Sequence, residues 1–446
     1  MQTKDQFNRR EFLKTGMAAT AAVTLAGMPL KLFASDKKET NPLNLQPESD
    51  AVLRVLRWVE FVSGDKVHWD ENTKRWEQLT GNKVITEYIS WEDVRTKAAM
   101  AASVGAGQDV VVGWLDDPHL YPQALMDLTD LADYLGKQYG GWESVCSMYG
   151  IDPASKRWIA LPLGAIGNCM NVRKSWMKEA GFDKFPGDIQ GFLKLCNKLK
   201  EIGHPCGFSL SHAVGDANTT WHWWLWSFGG KVVEKDGKTL CLNRQETWDA
   251  LDAGKEFYQS MISGVASWLD PHNNKAFLAG QVGLTSNGIS IYYVAKEKFP
   301  EIAEDMGHFH SPIGPVGKPT ELHLLNQIFI YKHCKYPQAA KHYILHMFDT
   351  PQYAEWLTGM RGLVAPSLKK YKEIPLWTAD PMITPYRDAT ARMLWNGYEG
   401  PEGPASAATM AEYVVVDMFA NVCLRGKSPK AAAAAAQDRA AKLYRS

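Results

Sequence analysis

From Val52 to Val112 the chain alternates between short apolar runs and segments of helical period, and nothing else in it restricts the fold as strongly. Val52 to Val59 is a buried strand, and Glu71 to Leu79 has helical period and stops at Thr80-Gly81. Lys83 to Ile89 is a second strand, followed by an Ala-rich helix from Trp91 to Val104 that closes on Gly105-Ala106-Gly107. Asp109 to Val112 is a third strand, short and uniformly apolar, as strands of a parallel sheet are. The order β-α-β-α-β predicts a doubly wound lobe with a ligand site at the C-terminal ends of its strands.

The pattern then resumes. Trp158–Pro162, Cys206–Leu210, Val282–Ser286 and Leu324–Tyr331 read as strands. Arg173–Ala180, Ile189–Ile202, Asn218–Phe228, Gln245–Ser263 and Lys275–Ala279 read as helices. A hairpin from Lys231 to Cys241 turns at Lys235-Asp236-Gly237-Lys238, and the remainder is mostly helical, ending in the Ala431–Ala436 run.

At the N-terminus, Arg9-Arg10-Glu11-Phe12-Leu13-Lys14 precedes an uncharged, weakly apolar run from Thr15 to Leu30. This is the address read by the twin-arginine translocase, which exports folded proteins; the alternative is an ordinary buried helix. Cleavage is expected after Ala34, leaving a periplasmic protein of 412 residues. That length suits two lobes better than one core. Residues 35–50 are polar and Pro-containing and read as a disordered lead-in.

The mature chain carries 44 Lys and Arg against 47 Asp and Glu, a net charge of −3, which offers no field for nucleic acid or anionic membrane. No second long apolar segment follows, so no membrane span is expected. The seven Cys residues are scattered without a CxxC; Cys196 and Cys206 are near enough in sequence to pair. His342 and His346 stand four apart and His308-Phe309-His310 alternates, but neither set has a clustered third ligand, so no metal or cofactor is expected. The 17 Trp residues are an excess for this length. Most fill cores, and some surplus is expected where flat rings face a ligand.

An ordered string of short segments then resembles the extracellular solute-binding proteins of ABC importers, in the branch of maltose-binding protein. It includes Thr80-Gly81-Asn82-Lys83-Val84, Gly107-Gln108-Asp109-Val110-Val111 and Ala160-Leu161-Pro162. Met170-Asn171-Val172-Arg173-Lys174, Phe228-Gly229-Gly230, Ala276 to Leu284 and Ser286-Asn287-Gly288 follow. Pro337 to Lys341 and Leu424 to Pro429 complete it, so most of the mature chain is covered. The resemblance implies two doubly wound α/β lobes with a hinge between them, a type II periplasmic binding fold. The N-terminal lobe would hold 51–163 and 327–366, and the C-terminal lobe 164–326 and 367–446. Crossings would fall near Pro162–Ala165, Asn326–Ile328 and Pro366–Lys370.

The same resemblance and topology nominate contacts for a solute. Asp65 and Lys66, in a loop after the first strand, would meet hydroxyls or remain solvated. Trp114, Asp116 and Asp117 follow the third strand at the cleft edge, Trp114 to stack on a sugar face and the carboxylates to accept hydroxyls; Asp117 could cap the next helix instead. Asn168 follows the first crossing. Asp216 and Trp221 begin the Trp-rich helix, whose free N–H groups would face the cleft, although Trp221 has the spacing of a core residue too. Asn287, Tyr413 and Arg361 complete the set, Tyr413 with helix packing and Arg361 with plain solvation as alternatives. The expectation is a monomeric, non-enzymatic periplasmic protein that captures a sugar, polyol or related polar solute and hands it to an ABC permease. The rival is an exported enzyme loaded with a metal or cofactor before export.

Overall fold

The computed structural model describes residues 42–445. The export signal, the cleavage position and the first part of the lead-in lie outside the described residues. Residues 42–50 are anchored rather than disordered. Leu45 is buried, and the Glu48 carboxylate accepts from the backbone N–H groups of Ala339 (2.8 Å) and Gln338 (3.2 Å). These groups open the helix Pro337–Phe348. A carboxylate is favoured there by free N–H donors and by the positive end of the helix dipole.

Nine strands form two sheets. They are β1 (Val52–Trp58), β2 (Lys83–Ile89), β3 (Val110–Trp114), β4 (Leu161–Ile166), β5 (Cys169–Arg173), β6 (Leu284–Asn287), β7 (Met306–Phe309), β8 (Leu324–Ile330) and β9 (Val364–Pro366). The larger sheet has the order β2-β1-β3-β8-β4-β9. Its first three strands are parallel, and β8, β4 and β9 add on antiparallel. The smaller sheet places β5 antiparallel between β6 and β7, with Cys206 bridged in parallel to Leu284. This is the two-lobed α/β architecture expected from the sequence. All of β3 and all of β8 are buried, which explains their uninterrupted apolar runs.

β4 connects the two sheets. Only Gly167 and Asn168 separate it from β5. The strand begins at Leu161, not Trp158, which makes only a single bridge, to Ile151. Its register shifts between Pro162 and Gly164. Gly164 sits at φ +142, and a Cβ there would collide with the Ala365 carbonyl of β9, so only glycine fits. Two further segments are more irregular than expected: Cys206–Leu210 pairs only through Cys206, and the 231–241 hairpin keeps one bridge, Val233 to Leu240.

The first helix runs from Ser63 to Thr80, so it begins well before Glu71. Its buried face, Asp65, Trp69, Asn72, Thr73 and Trp76, has helical spacing from the first turn onward. Gly64 lets the backbone of the helix Gln352–Gly359 approach closely. Asp65 and Lys66 are therefore helical, not loop, residues. Asp65 is buried, 2.8 Å from the Arg57 guanidinium and 2.8 Å from the Trp356 indole nitrogen. It ties the first strand to two helices.

Candidate functional site

A small cavity of about 30 Å³ lies where the two sheets meet. Phe61 and Trp91 line it from the loops after β1 and β2, the C-terminal ends of parallel strands. The floor is made by Ile166 and Asn168 at the end of β4, Leu324 at the start of β8 and Leu363 just before β9. Asp216, Asp270, Asn274, Asn287, Gly288 and Ser290 complete the lining.

Each polar wall residue is positioned by its neighbours. The Asn168 backbone N–H donates to His323 Nδ1 at 3.0 Å, and its amide nitrogen donates to Thr219 Oγ1 at 2.7 Å. Since Nδ1 of His323 accepts, its Nε2 donates to Glu321, 3.0 Å away. Arg392 grips the same carboxylate at 2.8 Å. Burial pushes the Glu321 carboxyl up, but His323 and Arg392 outweigh it and hold the group down at about 2. Asn287 donates to Asn274 Oδ1 at 2.5 Å, and Asn274 donates to Ser290 Oγ at 3.0 Å.

Asp270 caps the helix Asp216–Ser227 from outside. Its carboxylate accepts from the N–H of Gly215 (3.0 and 3.2 Å) and of Asp216 (2.8 Å). Burial, opposed by these bonds, leaves it at about 6. Asp216 itself is only 6 % exposed, and its Oδ2 has no hydrogen-bond partner. Burial, and then Asp270 beside it, push the Asp216 carboxyl well above the usual carboxylate range.

Of the residues nominated from the sequence, Asn168, Asp216 and Asn287 line this cavity. The others lie elsewhere. Trp114 ends β3 in a three-ring cluster, its ring centroid 3.6 Å from Trp91 and 4.4 Å from Trp58, which meets Trp91 edge to face at 5.6 Å. Asp116 and Asp117 are buried. Asp117 binds Arg95 Nε at 2.5 Å and the Trp114 N–H at 3.4 Å, and Asp116 accepts from Asn396 Nδ2. Burial raises Asp116 to about 6, with Arg95 opposing and Asp117 adding to the rise. Arg95 Nη1 and Nη2 have no hydrogen-bond partner.

Trp221 is fully buried. Its indole donates to the Ser209 carbonyl at 2.9 Å, and its ring packs 4.6 Å from Phe419, so it holds the second lobe's core. Tyr413 stacks on His212 at 4.4 Å. Lys66 is part-exposed and pairs with Asp70. Arg361 is exposed, 3.2 Å from Glu297 and over the Tyr293 ring.

The tempting histidines are packed, not clustered. His342 accepts from the Trp76 indole (2.9 Å), His346 meets the Asn72 carbonyl (3.0 Å) and His308 the Met382 carbonyl (3.0 Å). Burial pushes all three below the usual imidazole range. Among the described residues no three His, Cys, Asp or Glu side chains are grouped to hold a metal ion. Cys196 and Cys206 lie against each other as free buried thiols. No described helix is long and apolar enough to cross a membrane.

The sequence reading passed over Phe61, Trp91 and Asp270. The topological reason that singled out Trp114 applies equally to Trp91, two residues past β2. Asp270-Pro271 carries the composition of a helix start.

Comparison with known proteins agrees with this architecture. The profile of the twin-arginine translocation signal matches residues 6–26. The maltose-bound MalE3 of T. maritima superposes with a TM-score of 0.75 at 17% identity, over 88% of this chain and 100% of that one. A solute-binding protein of an ABC transporter from Agrobacterium radiobacter K84, in complex with ribitol, gives 0.74 at 16% identity, over 89% and 100%. A Brucella abortus relative, whose name marks it provisionally as a binding protein, is 23% identical over 311 residues, 67% of this chain and 72% of its own. The profile of bacterial extracellular solute-binding proteins matches residues 72–385. With its export signal and its two-lobed fold, the chain is a periplasmic member of the bacterial extracellular solute-binding protein family, exported by the twin-arginine pathway.

Proposed function

We propose that the protein captures a sugar, polyol or related polar solute in the cavity between its lobes and delivers it to an ABC permease, without chemistry of its own. The observation that carries this reading is the composition of the cavity walls. Two aromatic rings from the loops after β1 and β2 line the cavity together with the amides of Asn168, Asn274 and Asn287. Rings offer flat apolar faces to a sugar's C–H groups, while the Asn168, Asn274 and Asn287 amides offer donors and acceptors to its hydroxyls. The maltose and ribitol bound by structural neighbours support the same solute class.

Capture would close the lobes about the segments containing β4, β8 and the stretch after β9, where contacts to both walls become available at once. The lobes on this reading are 51–163 with 327–366 and 164–326 with 367–446. Thermal-shift screening of the purified mature protein against sugars and polyols is the direct test. A solute at about 100 times its Kd should add about 2.7 kcal/mol of stability, and solution scattering with that solute should show a smaller radius of gyration. A proven solute with an unchanged radius removes lobe closure from the mechanism.

A further inference from the structure

We propose that the solute carries a positively charged nitrogen, an amine on a hydroxylated skeleton, and that this ammonium is received by Asp216. This deepens the reading above and rests on it.

The observation is a carboxyl group that the protein leaves unpartnered inside its own cleft. Asp216 lines the cavity, is 6 % exposed, and has no hydrogen-bond partner for Oδ2. Its carboxyl neighbour, Asp270, takes the donors that the start of the helix provides, the N–H groups of Gly215 and Asp216. Among the described residues no Lys, Arg or His forms an ion pair with either group. The charged group acting on Asp216 is Asp270 and the one acting on Asp270 is Glu92, both acidic, while the Trp91 indole favours the Asp270 carboxylate and not that of Asp216. Arg95 pairs through Nε with Asp117, and its two terminal nitrogens reach neither Asp216 nor Asp270.

A carboxylate removed from water needs a counter-charge, or it takes up a proton. In the empty cleft the proton is the available answer, which is why burial and Asp270 raise Asp216 so far. An arriving ammonium offers the other answer: its N–H groups satisfy the free oxygen, and its charge replaces the proton's. The proton on the Asp216 carboxyl then leaves to solvent, so each ammonium bound releases one. Phe61 and Trp91, which line the same cavity, suit the same solute, because aromatic faces attract cations as well as C–H groups. A neutral polyol would use protonated Asp216 as an ordinary hydroxyl partner and release nothing.

The test is isothermal titration of the mature protein at pH 6.5, where both amines arrive as ammonium ions, with matched pairs, glucose against glucosamine and sorbitol against 1-amino-1-deoxysorbitol. Each is repeated in phosphate and in MOPS, whose different ionisation heats reveal protons released on binding. The amine member of at least one pair is expected to bind tenfold or more tighter and to release protons, and Asp216→Asn is expected to abolish both the preference and the release. Neutral members binding equally well or better overturn this inference and leave solute capture standing. A preference for amines that survives in Asp216→Asn, with its fold verified by circular dichroism, also overturns it. Proton release is read on the wild-type protein, so amine binding without release counts against the proposal even where the variant does not fold. Silence from every member of both pairs overturns both readings together.

Discussion

Two pairs of carboxyl groups lie buried near the junction of the sheets, and they are treated differently. Asp116 and Asp117, after β3, have Arg95 at 2.5 Å from Asp117 and the Asn396 amide on Asp116. Asp216 and Asp270, at the start of the Trp-rich helix, have backbone N–H groups on Asp270 and nothing on Asp216 Oδ2. Asp116, Asp117 and Asp216 were legible as acidic residues near strand or helix ends; Asp270 was not. What separates the two pairs is whether the chain supplies the counter-charge. The first pair works as an internal fastening between β3 and the 389–406 region, and the second borders the cavity and awaits a partner.

The comparison is most easily broken by removing the cation. Arg95→Leu leaves Asp117 buried without its partner and should cost about 3–5 kcal/mol in urea unfolding. Asp216→Asn should leave the stability of the empty protein unchanged or raise it, since it replaces an unpartnered buried carboxyl group with a neutral amide. Equal losses from the two variants would erase the distinction.

The same contrast holds for rings. Trp221→Ala opens a cavity in the second lobe and should cost about 3–5 kcal/mol. Trp91→Ala removes a cavity-lining ring and should show its effect chiefly as weakened solute binding by titration calorimetry. A Trp91 variant that unfolds while keeping its solute would reverse the assignment.

Acidity sharpens the comparison further. Asp270 stands at about 6 instead of 3.8, so between those values the unfolded chain has released a proton that the folded chain still holds. Stability from this group therefore falls as pH rises through that window, by about 2–3 kcal/mol. Glu321, held down at about 2, contributes in the opposite sense, its stabilisation being lost as pH falls from 4.5 toward 2. Chemical unfolding from pH 4 to 7 should show the decline in wild type and a flatter profile in Asp270→Asn, which keeps an oxygen to cap the helix. The smallest effect belongs to Arg361→Ala. Its pair with Glu297 is about half exposed on both sides, so the loss should be within about 1 kcal/mol.

Much of the fold could be read because its signals are local. Lys83–Ile89 matches β2 residue for residue, and Gly81 and Gly105 end their helices where the sequence placed the stops, both in the left-handed conformation. β4 was harder, since its bulge at Gly164 answers to the Ala365 carbonyl, some two hundred positions away in sequence. The site divides along the same line. Asn168 and Asn287 stand at strand ends and Asp216 at a helix start, which local pattern identifies. Asp65 looked like a free loop carboxylate because its partners, Arg57 and Trp356, are brought to it only by tertiary packing. Trp91 and Trp114 are the same residue type at the ends of neighbouring strands. Which ring stands in front depends on how the strands stack, and periodicity does not carry that information.

The trio Trp58, Trp91 and Trp114 has an optical consequence. Ring centroids 3.6 and 4.4 Å apart are close enough for the indoles to share electronic excitation. Only Trp91 of the three borders the cavity. Any solute that settles against it alters the polarity felt by one member of a coupled set, and the emission of all three should respond. The protein thus carries its own label, and a fluorescence titration should register occupancy of the cleft without any dye.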